Sequence, residues 1–135
     1  MNLFNTGRFK LHSGQISNFK IDCDALLDKD IQAIAELISS KIDFSDVFGV
    51  PEGGVRLARA LSKYRGNTGP ILIVDDVLTT GRSVQKQFDQ LKGRGKDIVG
   101  IVLFSRGECP HWVKPVFQLN SDFEDRGGIL FDYRS

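Results

Sequence analysis

At 135 residues, 41% hydrophobic and 26% charged, the chain has the size and composition of one folded domain, residues 1–135. Eighteen basic against seventeen acidic residues leave a net charge of +1, which gives no field for a polyanion and excludes nucleic acid as an expected partner. No apolar run approaches the roughly twenty residues of a membrane helix and MNLFNTGRFK has no signal-peptide core, so a cytoplasmic protein without a membrane partner is expected.

The first segment, GRFKLHSGQISNFKID from Gly7 to Asp22, alternates Phe9 with Leu11 and Phe19 with Ile21 around Ser13-Gly14, the pattern of an antiparallel hairpin. Asp28 and Asp30 then suit the cap of a helix whose apolar positions, Ile31, Ile34, Leu37 or Ile38 and Ile42, repeat at helical spacing. Val47, Phe48 and Val50 make a short strand. The turn Pro51-Glu52-Gly53-Gly54 leads into a second helix with Val55, Leu57, Ala58, Leu61 and Tyr64 on its apolar side. Glycines there let backbone N–H groups approach phosphate oxygens. Arg56, Arg59, Lys63 and Arg65 lie on that helix or at its end, where cations complement the dipole and stay solvated.

Ile71 to Val84 reads ILIVDDVLTTGRSV. Ile71, Leu72, Ile73 and Val74 fit a strand buried on both faces of a parallel sheet, with Asp75 and Asp76 at its carboxyl end. Val84, Phe88 and Leu91 are helically spaced, so Thr79, Thr80, Gly81, Arg82 and Ser83 form the start of a helix. Its free N–H groups and dipole suit an anion, and Gly81 lets the backbone curl around one. The two carboxylates cannot hold a phosphate themselves, but they can accept hydrogen bonds from sugar hydroxyls or act through a cation. A purely structural strand end with an acidic capping turn is the alternative. Ile98 to Phe104 is another continuous apolar strand, followed by FSRGE, and Val113 to Leu119 is a weaker one containing Pro115. Cys23 and Cys109 have neither metal spacing nor disulfide density, and ECPHW suits a turn better than a zinc site. Strand, helix, strand, helix, strand implies right-handed crossovers in an α/β parallel sheet, with a ligand crevice at the strands' carboxyl ends.

ILIVDDVLTTGRSV resembles the 5-phosphoribosyl 1-pyrophosphate (PRPP) motif of type I phosphoribosyltransferases. Two further blocks are similar to the orotate phosphoribosyltransferases: the opening segment, through Gly7, Phe9, Leu11, Ser13, Gly14 and Ser17, and GVPEGGVRLARAL from Gly49 to Leu61. The resemblance implies the three-layer, Rossmann-like parallel sheet of that family with a small N-terminal hood segment. It implies Asp75 and Asp76 as ligands of the ribose hydroxyls and Thr79, Thr80, Gly81, Arg82 and Ser83 as the 5′-phosphate cradle. Pro51, Glu52, Gly53 and Gly54 become the pyrophosphate loop. Arg106 becomes the partner of the orotate carboxylate, with His12, Phe19 and Lys20 on the base side. The reaction implied joins PRPP, as its Mg2+ complex, to orotate or a related base, giving a nucleoside monophosphate and pyrophosphate. A homodimer is the expected assembly.

Two departures bear on activity. The orotate enzymes carry an aromatic and a lysine where this chain has Glu52 and Gly53, so Gly53→Lys would be expected to restore a cation beside the pyrophosphate. Glu52 opposes binding unless magnesium intervenes, and a helix-start glutamate favoured by the dipole is the alternative. Second, the family places another strand and a long basic lid between the pyrophosphate-loop helix and the PRPP strand, where this chain has only SKYRGNTGP from Ser62 to Pro70. Loss of a water-excluding lid points to weak or absent turnover, or to a non-catalytic PRPP or nucleotide sensor on the same fold. A receiver domain also begins with an apolar strand and an acidic pair. Thr79-Thr80-Gly81 and the absence of an aspartate after Phe104 argue against it.

Overall fold

A computed structural model describes residues 23–78 and 80–118, and the backbone of residues 4–10 and 16–21. The amino-terminal runs form β1 (Phe4–Lys10) and β2 (Ile16–Ile21), antiparallel, with Phe4 opposite Ile21 and Phe9 opposite Ser17 and a register shift between Thr6 and Phe9. This is the hairpin that the alternation predicts. Its turn, with His12, lies outside the described residues.

Helix α1 (Asp28–Lys41) starts at the acidic cluster. Asp30 accepts a hydrogen bond from the Leu27 N–H at 2.8 Å, which satisfies one of the donors a helix start leaves open. Ile42, predicted inside the helix, is instead its extended C-cap residue. Four parallel strands follow, β3 (Asp46–Gly49), β4 (Ile71–Leu78), β5 (Ile98–Ser105) and β6 (Val113–Gln118), side by side in that order. Helix α2 (Gly53–Ser62) connects β3 to β4, and α3 (Arg82–Leu91) connects β4 to β5.

Alternation along the central strands builds the core in three layers. Leu72, Val74, Ile101 and Leu103 pack with Ile31, Ala35, Ile38, Leu57 and Leu61 of α1 and α2. Ile71, Ile73 and Val102 pack with Val84 and Leu91 of α3 on the other face. Each fully buried aliphatic side chain contributes about 1.5–3 kcal/mol, which holds β4 and β5 as a rigid platform. Pro115 sits in β6, paired on one side only among the described residues, where its missing N–H costs no ladder bond.

The connection from α2 to β4 is short and pinned. Gly66 N–H donates to Phe44 O at 2.8 Å, Ser45 N–H to Pro70 O at 3.0 Å, and Ser45 Oγ to Gly69 O at 2.9 Å. Arg65 pairs with Asp46 at 3.6 Å. Gly69 has φ +107°, and a Cβ there would meet Asp43 O at 2.6 Å, so the turn needs glycine. All these partners lie at the amino ends of β3 and β4. At about 3.3 Å per residue, the carboxyl end of β4 is roughly 25 Å away.

Candidate functional site

The carboxyl end of β4 differs in one respect from its prediction. The strand continues through the acidic pair to Leu78, because Asp75, Val77 and Leu78 still pair with Val102, Phe104 and Ser105 of β5. Asp75 is therefore held within the sheet, only 9% exposed, while Asp76 is half-buried. Burial, a hydrogen bond to the Asp76 carboxyl and the charge of Asp76 together push Asp75 up from its ordinary 3.8 to about 8. The Asp76 N–H, donating to Asp75 Oδ1 at 2.8 Å, works the other way but does not prevail. Asp76 Oδ1 in turn accepts from the Val77 N–H at 2.7 Å. At neutral pH Asp75 thus favours its protonated form, which can still hydrogen-bond a hydroxyl and repels an anion less than a free carboxylate does.

The loop after β3 docks directly onto this pair. Val50 N–H donates to Val74 O and Gly54 N–H to Val50 O, both at 2.8 Å. A Cβ on Gly54 would strike Val74 O and Asp75 Cα, and one on Gly53 would fall within the Asp76 carboxylate. Gly54 is required by this contact because the atoms it faces are backbone, and Gly53 leaves room for the Asp76 carboxylate where it now lies. This also adds a condition to the expectation for Gly53→Lys: a side chain at the position has room only if the Asp76 carboxylate moves. Pro51 and Glu52 are exposed, and Glu52 occupies the N-cap position of α2 without a side-chain capping bond.

Beyond Leu78, Thr79 lies outside the described residues. Thr80 Oγ1 accepts from the Arg82 N–H at 3.3 Å, and Gly81 is the N-cap of α3 at φ +81°, a left-handed conformation that favours glycine. Thr80, Arg82 and Ser83 are exposed. An open groove borders this turn, lined by Arg82, Gln85, Lys86 and Pro110 among others, and does not include the acidic pair.

Arg106 follows β5 immediately, half-buried, with its N–H donating to Leu78 O at 3.3 Å. Burial lowers its pKa below that of a solvated guanidinium. The structure therefore gathers Asp75, Asp76, the Pro51–Gly54 loop, the Thr80–Ser83 turn and Arg106 at one end of the sheet. Phe19 and Lys20 are on β2, of which the backbone alone is described, and His12 lies outside. Ser105, fully buried beside Arg106, was not singled out in the sequence; its signal is a lone hydroxyl closing an apolar strand.

A three-layer parallel sheet with an acidic pair, a glycine turn at a helix start and a glycine loop at one end defines the type I phosphoribosyltransferase class. No protein-family model matches the chain. It is 32% identical over 126 residues to the orotate phosphoribosyltransferase of Pyrococcus horikoshii, covering 70% of this chain and 68% of that one. With the orotate phosphoribosyltransferase of Pyrobaculum aerophilum it is 29% identical over 133 residues, covering 76% and 69%. The crystal structure of orotate phosphoribosyltransferase from Aeropyrum pernix superposes with a TM-score of 0.62 at 27% identity, over 78% of this chain and 77% of that one. UMP synthase of Leishmania donovani shares the fold at a TM-score of 0.67 and 18% identity, over 88% of this chain but 34% of its own. The chain belongs to the orotate phosphoribosyltransferase family. An alignment of 126 positions that takes up only 70% of 135 residues sets about 30 positions of the Pyrococcus protein against a gap in this chain.

Proposed function

We propose that the chain binds PRPP, as its magnesium complex, together with orotate or a related base, and that it is a phosphoribosyltransferase of orotate type with weak turnover. The observation that carries this reading is the convergence of the acidic pair, the glycine loop and the phosphate-type turn at the carboxyl ends of adjacent parallel strands, where α/β sheets bind ligands. Asp75 and Asp76 orient the ribose hydroxyls. Thr79, Thr80, Gly81, Arg82 and Ser83 cradle the 5′-phosphate through backbone N–H groups and hydroxyls. Pro51, Glu52, Gly53 and Gly54 face the pyrophosphate, and Arg106 offers a planar fork to a carboxylate on the base.

Among the described residues no three of His, Cys, Asp and Glu come together as a metal cage. Two carboxylates beside substrate phosphates are nevertheless a donor set that suits magnesium, which keeps its waters and takes few protein ligands. Asp76, in contact with the pyrophosphate loop, is the carboxylate placed for that role. The ion would neutralise charge on the leaving pyrophosphate, while this chain's residues supply binding and orientation.

The second reading is a non-catalytic PRPP or nucleotide sensor of the same fold. It is favoured by the α2–β4 connection, which is pinned at the amino ends of the strands and supplies no cations over the site. The two readings separate in one experiment. Calorimetric titration with PRPP and magnesium should show binding under either. Pyrophosphate release on adding orotate then marks the enzyme, and its absence the sensor. No binding of PRPP would sink both.

A further inference from the structure

We propose that Ser105 and Gln118 are positioning residues that fix Arg106, so that recognition of a carboxylated base depends on a hydroxyl buried at the end of β5. This rests on the reading of Arg106 as the carboxylate partner and deepens it. Ser105 and Asp75 are the buried polar side chains among the described residues, and Ser105 is 0% exposed. A hydroxyl removed from water is tolerated only where hydrogen bonds replace its hydration. Ser105 Oγ donates to Gly107 O at 2.7 Å and accepts from the Gly107 N–H at 3.4 Å and the Cys109 thiol at 3.3 Å. The same Gly107 carbonyl accepts from Gln118 Nε2, at the end of β6, at 3.0 Å.

Arg106 is therefore clamped from both sides. On one side its own N–H is tied to Leu78 O, directly opposite Ser105 in the β4–β5 register. On the other, the residue that follows it is tied to Ser105 and Gln118. Packing does not do this work at Gly107, since a Cβ there would meet nothing within 4 Å. Hydrogen bonds with Ser105 and Gln118 hold the turn at this point. A guanidinium that must present two N–H groups to one carboxylate is sensitive to small changes in the backbone that carries it.

The test compares orotidine 5′-monophosphate with uridine 5′-monophosphate, which share ribose and phosphate and differ by the base carboxylate. Calorimetric affinities would be measured for the wild type, Arg106→Ala, Ser105→Ala and Gln118→Met, the last keeping side-chain length at a half-exposed site should Ser105→Ala fail to fold. The expected result is a wild-type preference for the carboxylated nucleotide that Arg106→Ala abolishes. Ser105→Ala or Gln118→Met should cut that preference about tenfold with uridine nucleotide affinity unchanged. Variants that keep the wild-type preference, or lose both ligands equally, overturn the positioning role. A wild type without preference refutes the carboxylate reading of Arg106 itself, and the positioning role with it.

Discussion

Burial and a shared hydrogen bond raise Asp75 from 3.8 to about 8, and this has consequences for both folding and binding. A carboxyl whose folded pKa lies above its unfolded value stabilises fully below about 4 and loses that contribution as pH rises through about 8, each unit being worth about 1.4 kcal/mol. Thermal stability should therefore decline between pH 5 and pH 9 in the wild type, and less in Asp75→Asn, which cannot ionise. PRPP affinity should fall across pH 8 for the same reason, as Asp75 gains its negative charge beside a polyanion. A flat affinity profile from pH 7 to 9.5 would show that the pair does not face the ligand. Replacing both acids by asparagine should weaken PRPP more than inorganic phosphate, since phosphate brings no ribose hydroxyls; equal losses would assign the pair a structural role. Gly53→Ala should mimic part of this loss by displacing Asp76. The acids were legible in the sequence because the motif that holds them is local. The reason for Gly53 was not, because the carboxylate that excludes its side chain belongs to another strand.

The strands and helices followed from apolar runs and 3.6-residue spacing, since β4 and β5 are buried on both faces and α2 and α3 on one. Their ends were less legible. Nothing in ILIVDD shows that pairing with Val102, Phe104 and Ser105 carries β4 on to Leu78. At the start of α3, Gly81 (φ +81°) can be compared with Gly95 (φ +75°) in the α3–β5 connection, and neither has a neighbour close enough to exclude a Cβ. An alanine in the left-handed region costs about 1–2 kcal/mol at either position. Gly81→Ala and Gly95→Ala should thus lower the melting temperature by a similar few degrees, whereas only Gly81→Ala should weaken binding of phosphate or ribose 5-phosphate. Equal phosphate affinity in the two variants would remove the turn from the site.

Among the described residues of the whole molecule, ligand-orienting groups and charge-stabilising groups are unequally represented. Orientation is well supplied, by two rigid strands and two glycine turns. Among the described residues, the connection between α2 and β4 brings no cation over the leaving group, because it is anchored through Phe44, Ser45 and Asp46 at the far end of the sheet. Removing one donor that stabilises developing charge costs about 2.7–4 kcal/mol, a hundred- to thousand-fold in rate, and a missing lid removes several while admitting water. The expected phenotype is PRPP binding without pyrophosphate release at the roughly 1 per second that marks the low end of ordinary enzymes. Release assays at several protein concentrations test this with two distinct outcomes. Turnover above that rate and independent of concentration would mean that a cation of this chain reaches the site. Turnover that rises with concentration would mean that a second copy completes it, making the expected homodimer a requirement of catalysis rather than a mode of packing.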